Sequence, residues 1–413
     1  MNLQIQTAQL AAELDALASF SDAPAPAVTR VVFSEIDRQA RAYAKRLCAD
    51  ADLAIHEDAA GNTFARWAGS EPDLAAVATG SHIDAIPNAG RYDGTVGVLG
   101  ALEAIRALQR AGFRPRRSIE LVIFTSEEPT RFGIGCLGSR LMAGLLDASA
   151  DTRLVGKDGE TLNHWRTAAG FAGDLAEVRL PQGHYSAFVE LHIEQGPLLE
   201  CAAIPLGVVI AIAAPASLRI RLVGEGGHAG AVLMPARKDA FCAAAELVLA
   251  VESAAKSTGA IDTVSTVGVC EVFPGAINSI PSEVRLEVDV RDTNEARRDG
   301  VLAQIHNTCA DVAQRRGVAV TTETINADTP AQCDATVVDS LIRACATHQL
   351  AFQTMVSRAY HDSLFMSRIA PTAMLFIPCR GGVSHRPDEY ASAEAIASGV
   401  LVLAETLADL AGK

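Results

Sequence analysis

Leu74-Ala-Ala-Val-Ala-Thr-Gly80 and Ile119-Glu-Leu-Val-Ile-Phe-Thr125 are short apolar runs, each passing into a polar turn. Runs of this kind read as strands covered on both faces. Between them, Val96 to Leu108 has helical spacing and a glycine-rich entry. Strand, helix and strand in that order predict an α/β domain whose mostly parallel sheet carries helices on both faces. Helices are also expected over Met1 to Phe20, over Ser34 to Ala49 with Ser34 as cap, and over Ala393 to Leu410, so the chain begins and ends in α/β material.

The middle of the chain has another rhythm. Leu218, Ile220 and Leu222 alternate with Arg219 and Arg221, and Val284, Leu286, Val288 and Val290 alternate with Arg285, Glu287 and Asp289. Period-two strands have one wet face. A helix from Pro235 follows the first strand, and a helix from Glu295 to Arg316 leads to a β-prone Val318 to Ile325. The order β-α-β-β-α-β predicts a ferredoxin-like α+β module. It is placed at 215–329, inserted between 1–214 and 330–413, the two parts of the larger domain.

The 413 residues suffice for two to three domains at about 150 residues each. With 49% hydrophobic and 20% charged residues, the composition excludes a disordered chain. A formal net charge of −14, no basic block and 5% aromatics argue against a nucleic-acid partner. The start lacks a basic signal-peptide region, and the longest uncharged apolar run, Ile204 to Leu218, is interrupted by prolines and short of the ~18 residues of a membrane span. Nine scattered cysteines contain no Cys-x-x-Cys pair, so neither a disulfide framework nor a thiolate zinc site is expected. A cytoplasmic protein with no membrane partner is the expectation.

Chemistry-bearing residues collect after the strands. His82 and Asp84 follow the first run, Asp93 precedes the helix, and Glu127 and Glu128 follow the second run. His192 sits in Val189-Glu-Leu-His-Ile-Glu-Gln-Gly-Pro197, and His385 follows the apolar Met374 to Ile377. Taken singly, His82-x-Asp84 reads as a surface loop, Asp93 as a helix cap, Glu127-Glu128 as a solvated turn and His192 as a core residue. The glycines at 94, 97 and 100 are not in dinucleotide-binding order. Together, histidines and carboxylates at the carboxyl ends of several strands form a nitrogen and oxygen ligand set suited to Zn²⁺, Mn²⁺ or Co²⁺.

His82-x-Asp84, Asp93-Gly94, Glu127-Glu128, His192 and His385, in this order, resemble the M20 di-metal amidohydrolases and peptidases. Glu190-Leu-His-Ile-Glu-Gln-Gly-Pro197, Gly227-His-Ala-Gly230 and Gly381-Gly-Val-Ser-His385 resemble the hydantoinase/carbamoylase branch, which holds N-carbamoyl-L-amino acid hydrolases, allantoate and ureidoglycolate amidohydrolases and β-ureidopropionases. The resemblance implies two divalent metal ions: His82 and His192 hold one, Glu128 and His385 the other, and Asp93 bridges them. It implies that Asp84 orients His82 and that Glu127 is the general base, activating the attacking water and returning the proton to the leaving nitrogen. It further implies that the inserted module is a lid and dimer interface, with His228 reaching the oxyanion across a homodimer. Asn278, Arg291 and Gln195 are then substrate contacts.

Where many relatives carry Gly-His-Asp-Ala, this chain reads Tyr360-His-Asp-Ser363, similar to the ureidoglycolate amidohydrolases. Tyr360 and Ser363 are expected to reshape the pocket around His361, itself a substrate-site residue by resemblance. The implied reaction is hydrolysis of the ureido C–N bond of a small N-carbamoyl acid, releasing ammonia and carbon dioxide. The alternatives are an M20 aminoacylase or dipeptidase, and a catalytically silent small-molecule sensor. His192, where other M20 branches often carry Asp, favours the ureido branch.

Overall fold

Both apolar runs form strands without an exposed residue, Ala76–His82 and Ile119–Phe124. The computed structural model describes residues 1–413, which divide into two compact units.

The first unit comprises Met1–Ile210, Cys333–Met355 and His361–Lys413. Four parallel strands make the centre of its sheet, in the spatial order Thr372–Ile377, Tyr185–Ile193, Ala76–His82 and Ile119–Phe124. Leu206–Ile212 runs antiparallel on one side, and Thr63–Trp67 with Ala54–Glu57 on the other. The side chains still alternate, but both faces are buried. Val77, Leu121, Val189 and Leu191 join one apolar cluster under helices Thr95–Arg110 and Ala393–Ala411; Ala78, Val122, Phe124 and Phe188 join a second with Leu137 and Leu141 of Leu137–Met142. A sheet covered twice needs near-continuous apolar strands, which is why the two runs show no polar alternation.

Helix Glu35–Ala49 starts as expected, with the Ser34 hydroxyl accepting from the Asp37 N–H at 3.1 Å. The N-terminal helix is shorter than the amphipathic pattern, covering Thr7–Ala18.

The second unit comprises Ala211–Gln332 and Val356–Tyr360, a short return segment that the sequence division left in 330–413. Its antiparallel sheet has the order Val264–Phe273, Glu283–Asp292, Ala214–Val223, Ala319–Ala327, and helices Ala240–Ser257 and Glu295–Arg316 complete a ferredoxin-like β-α-β-β-α-β path. Leu218, Ile220, Leu222, Leu286 and Val288 face the helices. On the open face Arg219 pairs with Glu287 at 2.8 Å, and Glu283 accepts from both Arg221 and Arg285 at 2.7 Å. The first helix of this unit starts five residues after Pro235, which lies instead in the single turn Met234–Ala236. Asp239 sets the start, because its carboxylate accepts from the free N–H groups of Phe241 and Cys242 at 2.9 and 3.1 Å.

The uncharged run Ile204 to Leu218 becomes strand, not span, and no helix is long and apolar enough to cross a membrane.

One glycine governs how His82 is delivered. Gly80 lies inside its strand at φ 146°, and a Cβ there would come within 1.9 Å of the Val122 carbonyl oxygen on the neighbouring strand. Gly80→Ala is therefore expected to cost roughly 3 kcal/mol or more, since backbone cannot move aside as a side chain can. Gly112→Ala, where nothing lies within 4 Å, should cost only about 1 kcal/mol. Urea midpoints of the two variants test the difference.

Candidate metal centre

The carboxyl ends of the four parallel strands converge in the first unit. His82 is the last residue of its strand and His192 the penultimate residue of its own. Glu127 and Glu128 follow Ile119–Phe124 by a turn through Ser126, and His385 follows Thr372–Ile377 by the turn Arg380–Gly382. Asp93 precedes helix Thr95–Arg110 but does not cap it. Gly94 holds the cap position, at φ 65°, and a Cβ there would lie 2.4 Å from His82 Nε2. Glycine is thus the residue that lets Asp93 approach the imidazoles.

Asp93 is the meeting point. Its Oδ1 lies 3.2 Å from His192 Nε2 and 3.5 Å from His82 Nε2, and its Oδ2 lies 3.2 Å from His385 Nε2. His385 Nε2 is also 3.4 Å from Glu128 Oε1. The donor atoms of His82, Asp93 and His192 lie within 4.8 Å of one another, and so do those of Asp93, Glu128 and His385, so two sets share one carboxylate. Glu127 belongs to neither set, yet its Oε2 is 3.7 Å from His82 Nε2.

The imidazoles are set for ligation. His82 Nδ1 faces the Asp84 carbonyl at 3.0 Å and His192 Nδ1 faces the Ile193 carbonyl at 2.9 Å. A carbonyl only accepts, so each Nδ1 carries the proton and each Nε2 points its lone pair inward. Gly94 N–H donates to His192 Nε2 at 3.2 Å, consistent with that tautomer. Two acceptors, His192 Nε2 and Asp93 Oδ1, then face each other and need a cation or a proton between them. This donor chemistry fits a divalent metal.

In the metal-free chain the protons are redistributed. Against its own burial, Asp93 is held well below the usual carboxylate range by His192, His385 and His82. Burial opposes charge on His82, but Glu127, Asp93 and Asp84 outweigh it and raise its pKa well above the ordinary value. The bond to Asp93 lifts His385 to about 9. Burial, with Asp93 nearby, raises Glu128 to about 7, and burial with the Glu128 charge raises Glu127 well above its ordinary value. Adjacent carboxyls that cannot both ionise cheaply are what a cation would relieve.

Asp84 acts differently from the sequence expectation. Its carboxylate is 3.8 Å from His82 Nδ1, too far for a hydrogen bond, and accepts instead from the N–H groups of Glu127 and Glu128 at 3.2 and 3.1 Å. The His82 ring is oriented by the backbone carbonyl of Asp84.

Gln195 donates from Nε2 to Asp93 Oδ2 at 2.7 Å, which leaves its buried Oε1 without a partner. The ring of His361 lies 4.5 Å from that of His192. Of the two residues expected to reshape its surroundings, Ser363 is fully buried and donates to Glu190 at 2.6 Å, while Tyr360 belongs to the second unit. Ser363 therefore braces the sheet and does not line an open pocket.

His228, Asn278 and Arg291 lie in the second unit. His228 pairs with Ser279 across a two-residue ladder, the Ala229 N–H donates to the Asn278 carbonyl at 2.9 Å, and the side chains of His228 and Asn278 are exposed. Arg291 donates to Asp289 at 2.8 Å, and its guanidinium stands 5.6 Å from the Tyr360 ring.

Sequence reasoning missed three supporting carboxyls. Glu389 accepts from the N–H groups of Tyr92 and Asp93 at 2.8 and 3.1 Å, and Ser384 Oγ lies 2.8 Å from both Glu389 Oε2 and Asp93 Oδ2. Glu190 accepts from Ser81 Oγ at 2.7 Å as well as from Ser363. Asp362 accepts from Ser139 Oγ at 2.5 Å and is raised to about 8 by burial and by Glu190. No local signal marked Glu389, whose partners Tyr92 and Asp93 lie about three hundred residues away in the chain.

A sequence model of Peptidase family M20/M25/M40 matches residues 78–409. The chain is 53% identical to a ureidoglycolate hydrolase of Arabidopsis thaliana, over 99% of this chain and 87% of that protein. It is 37% identical to an N-carbamoyl-L-amino acid amidohydrolase of Geobacillus stearothermophilus, over 98% and 99% of the two chains. The fold is similar to the crystal structure of AtUAH in complex with glyoxylate, with a TM-score of 0.91 at 53% identity over 99% and 98% of the chains. It is also similar to a hydantoinase/carbamoylase family amidase from Burkholderia multivorans, with a TM-score of 0.90 at 33% identity over 100% and 99%. The parallel-strand ends, the match across residues 78–409 and these likenesses over nearly the whole chain have one reading: the chain belongs to peptidase family M20/M25/M40.

Proposed function

We propose that the chain hydrolyses the ureido C–N bond of a small N-carbamoyl acid, ureidoglycolate foremost, releasing ammonia and carbon dioxide. The observation that carries this reading is the pair of donor sets sharing Asp93 with Glu127 beside them and outside both. Ureidoglycolate is favoured by the 53% identity to the Arabidopsis relative and by Tyr360-His-Asp-Ser363.

His82 and His192 would hold one divalent ion and Glu128 and His385 a second, with Asp93 between them; Zn²⁺, Mn²⁺ and Co²⁺ suit imidazole and carboxylate donors. When bound, such ions polarise the ureido carbonyl and acidify the attacking water. Glu127 takes the water's proton and delivers it to the leaving nitrogen, a task suited to a carboxyl whose pKa burial has raised. Gln195 Oε1 accepts from a ureido N–H. Arg291, with Asn278, takes the substrate carboxylate, and the Tyr360 ring limits the group beside it. His361 contacts the substrate beside His192, and His228 stabilises the oxyanion from a second copy of the chain. A homodimer through the second unit is supported by the edge strand Val264–Phe273, which leaves Val264, Val269 and Phe273 exposed. A cytoplasmic location is supported by nine free cysteines.

The direct test is ammonia release by Mn²⁺- or Zn²⁺-loaded protein from ureidoglycolate, allantoate, N-carbamoyl-L-amino acids and N-carbamoyl-β-alanine, with amine release followed from N-acetyl amino acids and dipeptides. Ureidoglycolate should give the highest kcat/KM, and a chelator should abolish it. Amine release alone would move the chain to the aminoacylase or dipeptidase side, and no turnover of any substrate would favour a silent sensor.

Glu127→Gln should lower kcat by about 10²–10⁴-fold with metal content unchanged. Loss of metal with turnover retained would remove Glu127 from its role.

A third outcome concerns pH. Glu128 is raised from 4.5 to about 7 and His385 from 6.5 to about 9, so at these two groups the folded metal-free chain binds more protons than the unfolded one. The stability Glu128 contributes is whole below pH 4.5 and lost as pH rises through 7; that of His385 is whole below 6.5 and lost through 9. Tm of the metal-free protein should therefore fall across that window, and the Tm gain on adding Mn²⁺ should grow across it, because metal displaces those protons. A pH-independent gain would contradict the ligand set.

A further inference from the structure

Arg30 ends the short strand Val28–Arg30 in the first unit and lies outside residues 78–409. It has no exposed surface. Each of its three guanidinium nitrogens donates to a backbone carbonyl: Nε to Phe20 at 3.0 Å, Nη2 to Leu17 at 2.6 Å and Nη1 to Ile83 at 2.6 Å. No carboxylate makes an ion pair with it. Burying a guanidinium without a direct counter-ion is costly, so the position calls for an explanation.

Two of the carbonyls belong to the last turn and exit of helix Thr7–Ala18, whose final carbonyls have no partner within the helix. The third belongs to Ile83, the residue between His82 and Asp84. That turn carries His82, whose Nδ1 faces the Asp84 carbonyl, and the Asp84 carboxylate, which fixes the N–H groups of Glu127 and Glu128.

We propose that Arg30 is a positioning residue for the metal centre. Its planar fork locks the Ile83 carbonyl, and through the turn that carries this carbonyl His82 and the Asp84 carboxylate that fixes the Glu127-Glu128 pair are held ready for the ion. Burial draws the guanidinium down to about 10 while Asp37 and Asp84 oppose the shift, so Asp84 is among the charges that keep it protonated. A lysine keeps the charge but cannot span three carbonyls in a plane. The proposal rests on the metal reading above.

The competing account is that Arg30 only staples the N-terminal helix. Mn²⁺ binding to the full-length, metal-stripped protein, followed by the electron paramagnetic resonance of free Mn²⁺, separates the two when Tm is measured alongside. Arg30→Lys should weaken at least one Mn²⁺ site by about 10–100-fold, the range for residues that orient metal ligands, and Arg30→Met should weaken it further. Leu14→Ala, which truncates a buried side chain on the same helix, should lower Tm as much yet leave Mn²⁺ affinity within about twofold. Should Arg30→Met fail to fold, Arg30→Lys decides. Wild-type affinity in Arg30→Lys, or an equal loss of affinity in Leu14→Ala, overturns the proposal. Failure of the unaltered chain to take up Mn²⁺ would instead overturn the metal reading, and this proposal with it.

Discussion

One carboxylate facing three imidazoles is the constraint on which the rest of this structure depends. Asp93 is buried with Asp84, Glu127, Glu128, Glu190, Asp362 and Glu389 in the same unit, a concentration of acid that a low-dielectric interior does not tolerate unaided. The sheet meets the demand with fixed donors. Backbone N–H groups of Glu127 and Glu128 go to Asp84, those of Tyr92 and Asp93 go to Glu389, and serine hydroxyls go to Glu190 and Asp362. What these donors do not satisfy is the centre itself, where acceptors face one another around Asp93. The unmet demand is local, and it has the shape of a cation site.

The same crowding gives groups of identical chemistry opposite charge preferences. Asp93 is surrounded by imidazoles and stays ionised; Glu127 and Glu128 emerge side by side, are buried, and are both pushed towards their neutral forms. Position relative to the shared donor sets, not residue type, distinguishes the surroundings of the two carboxyls here. Glu128 reaches His385 and Asp93, whereas Glu127 points past them towards His82 and the thiol of Cys136 at 3.5 Å. Two residues on one turn thereby face different partners.

Much of this could be read along the chain, because its signals are local. Doubly buried parallel strands write themselves as unbroken apolar runs, and a half-wet antiparallel sheet writes itself as Leu-Arg-Ile-Arg-Leu; both readings survive in the structure. Histidines and acids just past such runs had to gather, since parallel strands bring their carboxyl ends to one side. Pro235 misled because proline favours a first helical turn, while the stronger signal, a capping carboxylate at Asp239, lay four residues on. The supporting residues were illegible for another reason: Arg30 meets Ile83 across 53 residues and Glu389 meets Tyr92 across 297, and no spacing rule reaches that far. Asp84 was legible as a residue of the site and not as to which atom does what, because sequence does not distinguish a backbone carbonyl from the carboxylate beside it.

Backbone conformation at the strand exits follows from the same need. Ser126, Gln195 and His385 have φ of 55°, 56° and 59°, left-handed values that cost a non-glycine residue about 1 kcal/mol each. Ser126 and Gln195 lie two residues past the end of a parallel strand, and His385 lies beyond the turn Arg380–Gly382 that follows another. Glycine would make these turns without strain, as it does at Gly94, but a glycine carries no donor atom. At Gly94 the space is taken by His82, so the turn there has no room for a side chain; at Gln195 and His385 the side chain is the purpose of the turn. The strain is then the consequence of asking one residue to be both hinge and donor, and the packed strands beneath it, without exposed surface, are what hold it in place.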